Sequence, residues 1–158
     1  MSDLATTVTV IDACGRARVP VLLLSDPGMG KSSLVRGIAV SEGVPCETVL
    51  GSIREPADVA GLPVVTETGV VLSPPAWAQR LVEAKAGYLF LDELTTCPPS
   101  VQAAMLAVAL DRVVGDLGLP PGVRVVAGAN PPDRAADGWE MSPPLANRFC
   151  HVEYRPTV

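Results

Sequence analysis

Residues 19–34, Val-Pro-Val-Leu-Leu-Leu-Ser-Asp-Pro-Gly-Met-Gly-Lys-Ser-Ser-Leu, constrain the fold more than any other stretch of the chain. The apolar run suits a strand buried on both faces. A Pro/Gly turn then ends it, and Lys31-Ser32 opens a segment with Leu34, Val35, Ile38 and Ala39 at helical spacing. Strand, glycine-rich turn and helix start, in that order, make a cradle for an anion. The loop Asp26-Pro27-Gly28-Met29-Gly30 turns its available backbone N–H groups inward, and the helix start at Lys31, Ser32 and Ser33 adds the positive end of a dipole. Glycines let the main chain approach phosphate oxygens without a side chain in the way. In this pattern Lys31 is suited to reach the β- and γ-phosphates of a nucleotide, and the Ser32 hydroxyl to sit on Mg²⁺. The pattern usually begins with glycine, and here that position is Ser25. Serine disfavours positive φ, which predicts a tightened or altered start to the loop. A dinucleotide fingerprint does not fit, because its third glycine would fall at Ser33.

The 158 residues suffice for one domain with a full core. Hydrophobic residues make up 48% and charged ones 18%, which excludes a disordered chain, and a net charge of −5 argues against a surface built to hold nucleic acid. Only 4% of residues are aromatic, so Val, Leu and Ala must fill the core. No apolar run reaches the ~18 residues of a membrane span, and the first residues lack the pattern of a signal peptide. Cys14, Cys46, Cys97 and Cys150 are widely spaced, and His151 is the one histidine. That spacing argues for reduced thiols in a cytoplasmic protein and gives a zinc site little support.

Taken in order, 4–17 follows a helical spacing at Leu4, Val8 and Ile11 and ends near Gly15. Strands are predicted at 19–25 and 45–50, with a helix between them from Lys31 to about Gly43. Residues 51–61 read as a loop with one helical turn. Segments 62–66 and 69–72 read as a β-hairpin across Glu67-Thr68. Pro74-Pro75 precede a helix in which Trp77 suits a core position. The prolines at 98 and 99 fit the first turn of an apolar helix reaching Arg112. Residues 115–122 read as a turn-rich connection, 133–141 as an exposed acidic loop containing Trp139, and 145–154 as a turn followed by a fifth strand that includes His151.

The second chemical landmark is Gly87-Tyr-Leu-Phe-Leu-Asp92-Glu93. A buried strand delivers two carboxylates at its C-terminal end, the end at which ligands bind in open parallel sheets. The phosphate loop leaves its own strand at the same end, so both open onto one crevice. Asp92 is suited to hold Mg²⁺, and Glu93, pointing differently, to polarise an attacking water. A helix N-cap would also explain the pair, but the upstream loop favours the chemical reading. Val123–Ala129 is a further buried strand ending at Asn130. Asn130 either caps the turn or reaches the γ-phosphate and the attacking water.

As a set, the phosphate loop, the hairpin, Leu-Phe-Leu-Asp92-Glu93, the strand to Asn130 and Leu-Ala-Asn-Arg148-Phe resemble the AAA+ ATPases, within them the MoxR and dynein-related groups of the helix-2-insert clade. The resemblance runs from about Leu4 to Tyr154. It implies a three-layer α/β P-loop NTPase fold, with five parallel strands in the order 5-1-4-3-2, helices on both faces and the hairpin as the insertion. It also implies Walker A at Lys31 and Ser32, Walker B at Asp92 and Glu93, sensor 1 at Asn130, and an arginine finger at Arg148 that reaches a neighbouring subunit's nucleotide. ATP and Mg²⁺ are the implied cofactors. The implied partners are further copies in a hexameric ring, a protein client and a von Willebrand factor A domain protein.

The resemblance makes 1–158 an ATPase core and implies a helical lid domain that should begin where these residues stop. Without that lid, weak ATP affinity and slow turnover are expected. The leading expectation is an ATP-hydrolysing remodelling or chaperone-like motor. The alternative is a nucleotide-binding structural or switch subunit with little hydrolysis. A small-molecule phosphotransferase would need an acceptor pocket that the sequence does not reveal.

Overall fold

The structure, a computed structural model, describes residues 3–131 and 146–155. Its first helix, α1 (Leu4–Arg16), is capped by Asp3, whose Oδ1 accepts from Thr6 N at 2.8 Å. Strand β1 (Val21–Leu24) is shorter than the 19–25 predicted. Arg18 turns into the left-handed region (φ 58°), and Val19 N donates back to Cys14 O at 2.9 Å, so these residues close the helix instead of extending the strand. Helix α2 (Lys31–Glu42) runs between Gly30 and Gly43, both at positive φ.

After β2 (Cys46–Leu50), the stretch predicted as a loop with one helical turn holds two. These are a 3₁₀ turn at Gly51–Ile53 and α3 (Pro56–Ala60), where Glu55 N donates to Asp58 Oδ2 at 3.0 Å. Strands β3 (Leu62–Thr66) and β4 (Gly69–Ser73) form the predicted antiparallel hairpin. Then come α4 (Ala76–Ala84), β5 (Ala86–Asp92) and α5 (Pro99–Asp111).

The connection after α5 contains a small ribbon, β6 (Val113–Val114) with β7 (Leu117–Gly118), which two-residue strands are too short to signal. Its turn docks on the larger hairpin. Leu72 N donates to Asp116 Oδ2 at 2.9 Å, and Asp116 N donates to Leu72 O at 3.3 Å. Strand β8 (Gly122–Ala129) and edge strand β9 (Cys150–Glu153) complete the described elements. The predicted acidic loop and Trp139 lie outside the described residues.

Five strands pair in parallel in the order β2-β5-β8-β1-β9. Numbered along the chain as sheet strands 1 to 5, this is the expected 5-1-4-3-2. Alternating side chains feed two cores. Leu22, Leu89, Leu91, Val125 and Ala127 join Trp77, Leu81, Met105 and Leu106 on the α4/α5 face. Val21, Leu23, Tyr88, Phe90 and Val126 join Ile11, Leu34, Val35 and Ile38 on the α1/α2 face. Burial on both faces explains why β1, β5 and β8 read as continuous apolar runs. Trp77 is a core residue at 7% exposure, and His151 lies exposed on the edge strand with Nε2 2.7 Å from Ala146 O. All four cysteines are free thiols.

Candidate functional site

Because the sheet strands are parallel, β1, β5 and β8 all release the chain at one rim. Leu24 pairs with Ala129, and Leu91 with Ala127, so the residues that follow converge. At the end of β1 the loop turns through Gly28 (φ 78°) and Gly30 (φ 80°). A Cβ at either would meet nothing within 4 Å, so the backbone angle, not crowding, calls for glycine. Pro27, Gly28 and Ser33 are exposed, whereas Asp26, Met29 and Ser32 are half-buried.

Lys31, the first residue of α2, is only 8% exposed. Its Nζ donates to Ser25 O (2.9 Å), Asn130 Oδ1 (3.0 Å), Ser25 Oγ (3.1 Å) and Asp26 O (3.4 Å). Burial pulls its ammonium below the usual lysine range, and the charges of Asp92 and Asp26 oppose that shift. Ser25 stays outside the positive-φ region and is 5% exposed. The replacement for the expected glycine therefore brings no left-handed strain, and its hydroxyl becomes a lysine contact that the sequence did not reveal.

Ser32 Oγ donates to Asp92 Oδ2 at 2.8 Å, and Asp92 Oδ1 accepts from Glu93 N at 2.9 Å. Glu93 itself adopts φ 59°, which turns the chain sharply off β5. The chain beyond is pinned to its neighbour strand. Leu94 N donates to Gly128 O at 2.9 Å, and Asn130 N donates to Thr95 Oγ1 at 3.4 Å. Gly128 is a second residue missed in the sequence. A Cβ there would stand 2.8 Å from Asp92 Oδ1 and 2.9 Å from Phe90 Cζ. A lone glycine inside an apolar strand is the signal for such a close approach.

Lys31 is thus bonded to Asn130 and its neighbour Ser32 to Asp92, with the Glu93 backbone tied to the Asp92 carboxylate. Arg148 is not brought to them. It is exposed, just before β9, whose first residue pairs with Val21 at the opposite end of β1 from the loop. Among the described residues no group of three or more His, Cys, Asp or Glu side chains could hold a metal ion. One hydroxyl and one carboxylate, both hard oxygen donors, suit a magnesium ion that takes its other ligands from phosphates and water.

A family profile described as AAA domain (dynein-related subfamily) matches residues 20–149. The chain is 32% identical over 132 residues to the transcriptional regulatory protein XylR of Pseudomonas putida, which covers 76% of this chain and 23% of XylR. It is 32% identical over 122 residues to the sigma54-dependent transcriptional activator SfnR of the same species, covering 70% of this chain and 32% of SfnR. The chain therefore spans about a quarter to a third of the length of these curated relatives. Among solved structures, a candidate ATPase from Cytophaga hutchinsonii ATCC 33406 superposes with a TM-score of 0.63 at 18% identity, over 95% of this chain and 46% of that one. A RuvB point mutant from Thermotoga maritima superposes with a TM-score of 0.59 at 20% identity, over 96% of this chain and 44% of that one. Both likenesses are of fold. Matched by the profile across most of its length, and built on the sheet order of that fold, the chain belongs to the AAA domain family, in its dynein-related subfamily.

Proposed function

We propose that this domain binds ATP with Mg²⁺ and hydrolyses it. The observation that carries this reading is the joint contact of Ser32 Oγ with Asp92 Oδ2 and of Lys31 Nζ with Asn130 Oδ1 at one rim of the sheet. The loop amides from Asp26 to Ser33 would wrap the phosphates, with Lys31 neutralising charge on the β- and γ-oxygens. Ser32 and Asp92 would hold the metal, which lends positive charge to the phosphates. Glu93 would accept the proton of the attacking water, and Asn130 would orient that water or the γ-phosphate.

Arg148, exposed and distant from its own chain's loop, fits a finger presented to a neighbouring copy. Supplied in trans, such an arginine raises turnover by ~10³–10⁵. The domain would then work in a ring that remodels a protein client. The curated relatives carry the names of a transcriptional regulator and a transcriptional activator, which favours a client within a regulatory assembly.

Phosphate release by the native chain and by Glu93→Gln tests the reading. We expect Glu93→Gln to fall by at least ~100-fold while fluorescent ATP binding persists. Equal rates with intact binding would leave a nucleotide-holding switch in place of an ATPase.

A further inference from the structure

We propose that Gln102, on α5, is a positioning residue for Glu93, holding the turn that aims its carboxylate. This rests on the reading of Glu93 as the group that accepts the water's proton.

Gln102 is 7% exposed on a helix face otherwise made of Val101, Met105, Leu106, Val108 and Ala109. A buried polar side chain in an apolar layer needs partners to hold it there. Its Nε2 donates to Leu94 O at 3.0 Å. Leu94 is fully buried and immediately follows Glu93. The same carbonyl also accepts from Cys97 Sγ at 3.2 Å, a weaker donor.

The residues around Glu93 are latched on each side. Glu93 N is held by Asp92 Oδ1 at 2.9 Å, and Glu93 O accepts from Thr96 N at 3.1 Å and Thr96 Oγ1 at 3.2 Å. Leu94 N is held by Gly128 O at 2.9 Å. Of these latches, Gln102 is the one that ties the turn to a separate helix. Glu93 needs it because its φ of 59° is a conformation that side-chain-bearing residues adopt only where their surroundings impose it. Without the amide, the Leu94 carbonyl keeps the weaker thiol partner and the turn after Glu93 loses its tie to α5. The Glu93 carboxylate then loses the aim the turn gives it, while the Lys31–Asn130 and Ser32–Asp92 contacts remain.

The experiment compares native chain, Gln102→Met and Glu93→Gln in steady-state ATP hydrolysis, fluorescent-ATP binding and amide hydrogen exchange. Methionine keeps the length and helix preference of glutamine and removes the donor. For Gln102→Met we expect kcat to fall roughly 10- to 100-fold with KM and nucleotide affinity within about twofold. Faster exchange confined to residues 93–97 should accompany it. Where Gln102→Met does not fold, Gln102→Asn replaces it, since a side chain shorter by one methylene draws the amide out of reach of Leu94 O.

An unchanged kcat, or a loss of kcat no larger than the fraction of protein unfolded, overturns the positioning role. If Glu93→Gln loses turnover and Gln102→Met does not, only the role of Gln102 falls. If Glu93→Gln releases phosphate at the native rate, the parent reading falls and takes the positioning role with it.

Discussion

Lys31 Nζ lies 3.0 Å from Asn130 Oδ1, joining the first residue of α2 to the residue that follows β8, ninety-nine positions away. The contact ties the phosphate-loop lysine to the end of a different strand, so a change in one is felt by the other. It also helps hold the ammonium where burial has lowered its proton affinity. Sign and direction follow from that. A lysine pulled below its usual range loses its charge at a lower pH than an exposed one, and phosphate binding needs the charge. We therefore expect ATP affinity to decline on the alkaline side before the ordinary lysine range is reached. Fluorescent-nucleotide titrations from about pH 7 to about pH 10 would show it. Constant affinity across that range would count against Lys31 as a phosphate ligand.

Gly128 and Asp92 make a second pair with a measurable consequence. An added methyl at position 128 would stand 2.8 Å from Asp92 Oδ1, an oxygen already held by Glu93 N, and 2.9 Å from the Phe90 ring. The carboxylate must turn, loosening its bond to Ser32. For Gly128→Ala we expect a stability loss of about 1–3 kcal/mol by urea unfolding. We also expect a larger loss of nucleotide affinity in Mg²⁺ than in EDTA. Equal losses in both would detach Gly128 from the metal site.

Which features were legible in the sequence follows from how each is encoded. The Lys31, Ser32, Asp92 and Asn130 positions follow from strands buried on both faces and ending in turn residues, signals confined to a few adjacent positions, whereas the sheet order follows from the family resemblance. Contacts made by side chains across the fold carry no such local mark. Ser25 read as a weakened glycine position because only its backbone could be judged; its hydroxyl contact with Lys31 exists through folding. Gln102 was hidden inside an apolar helix pattern, and the β6–β7 ribbon was too short to show a period. Strand β1 lost its first two predicted residues because Arg18 and Val19 close α1, an outcome set by one backbone angle.

The docking of the two ribbons predicts a local, not a catalytic, effect. Gly115 has φ 61°, and a Cβ there would come 2.5 Å from Leu72 O, a backbone atom that cannot turn aside cheaply. Gly115→Ala should therefore push the β6–β7 turn off the larger hairpin and break the paired Leu72–Asp116 bonds. A two-stranded hairpin is marginal by itself. We expect faster limited proteolysis within 62–73 and nucleotide affinity within about twofold of native, since both ribbons are sheets separate from the one that carries Asp92. Unchanged cleavage would show that the hairpin stands without this support.

At the opposite end of the sheet from the phosphate loop, Tyr88 predicts the alkaline stability of the domain. Its OH donates to Glu42 Oε1 at 2.9 Å and accepts from Arg124 Nη1, while Arg124 Nη2 also pairs with Asp12 at 2.8 Å. Burial pushes the phenol from 10.0 up to about 12; the Arg124 bond opposes the rise and the Glu42 bond adds to it. Because the folded value exceeds the unfolded one, the unfolded chain loses the proton first as pH rises. The stabilisation is complete below pH 10 and disappears as the pH passes through about 12. Urea unfolding of native protein and Tyr88→Phe across that window isolates the effect, because Lys31 titrates alike in both and cancels in the difference. The native chain should lose stability more steeply than Tyr88→Phe, and parallel curves would mean that the phenol ionises equally in the folded and unfolded chains.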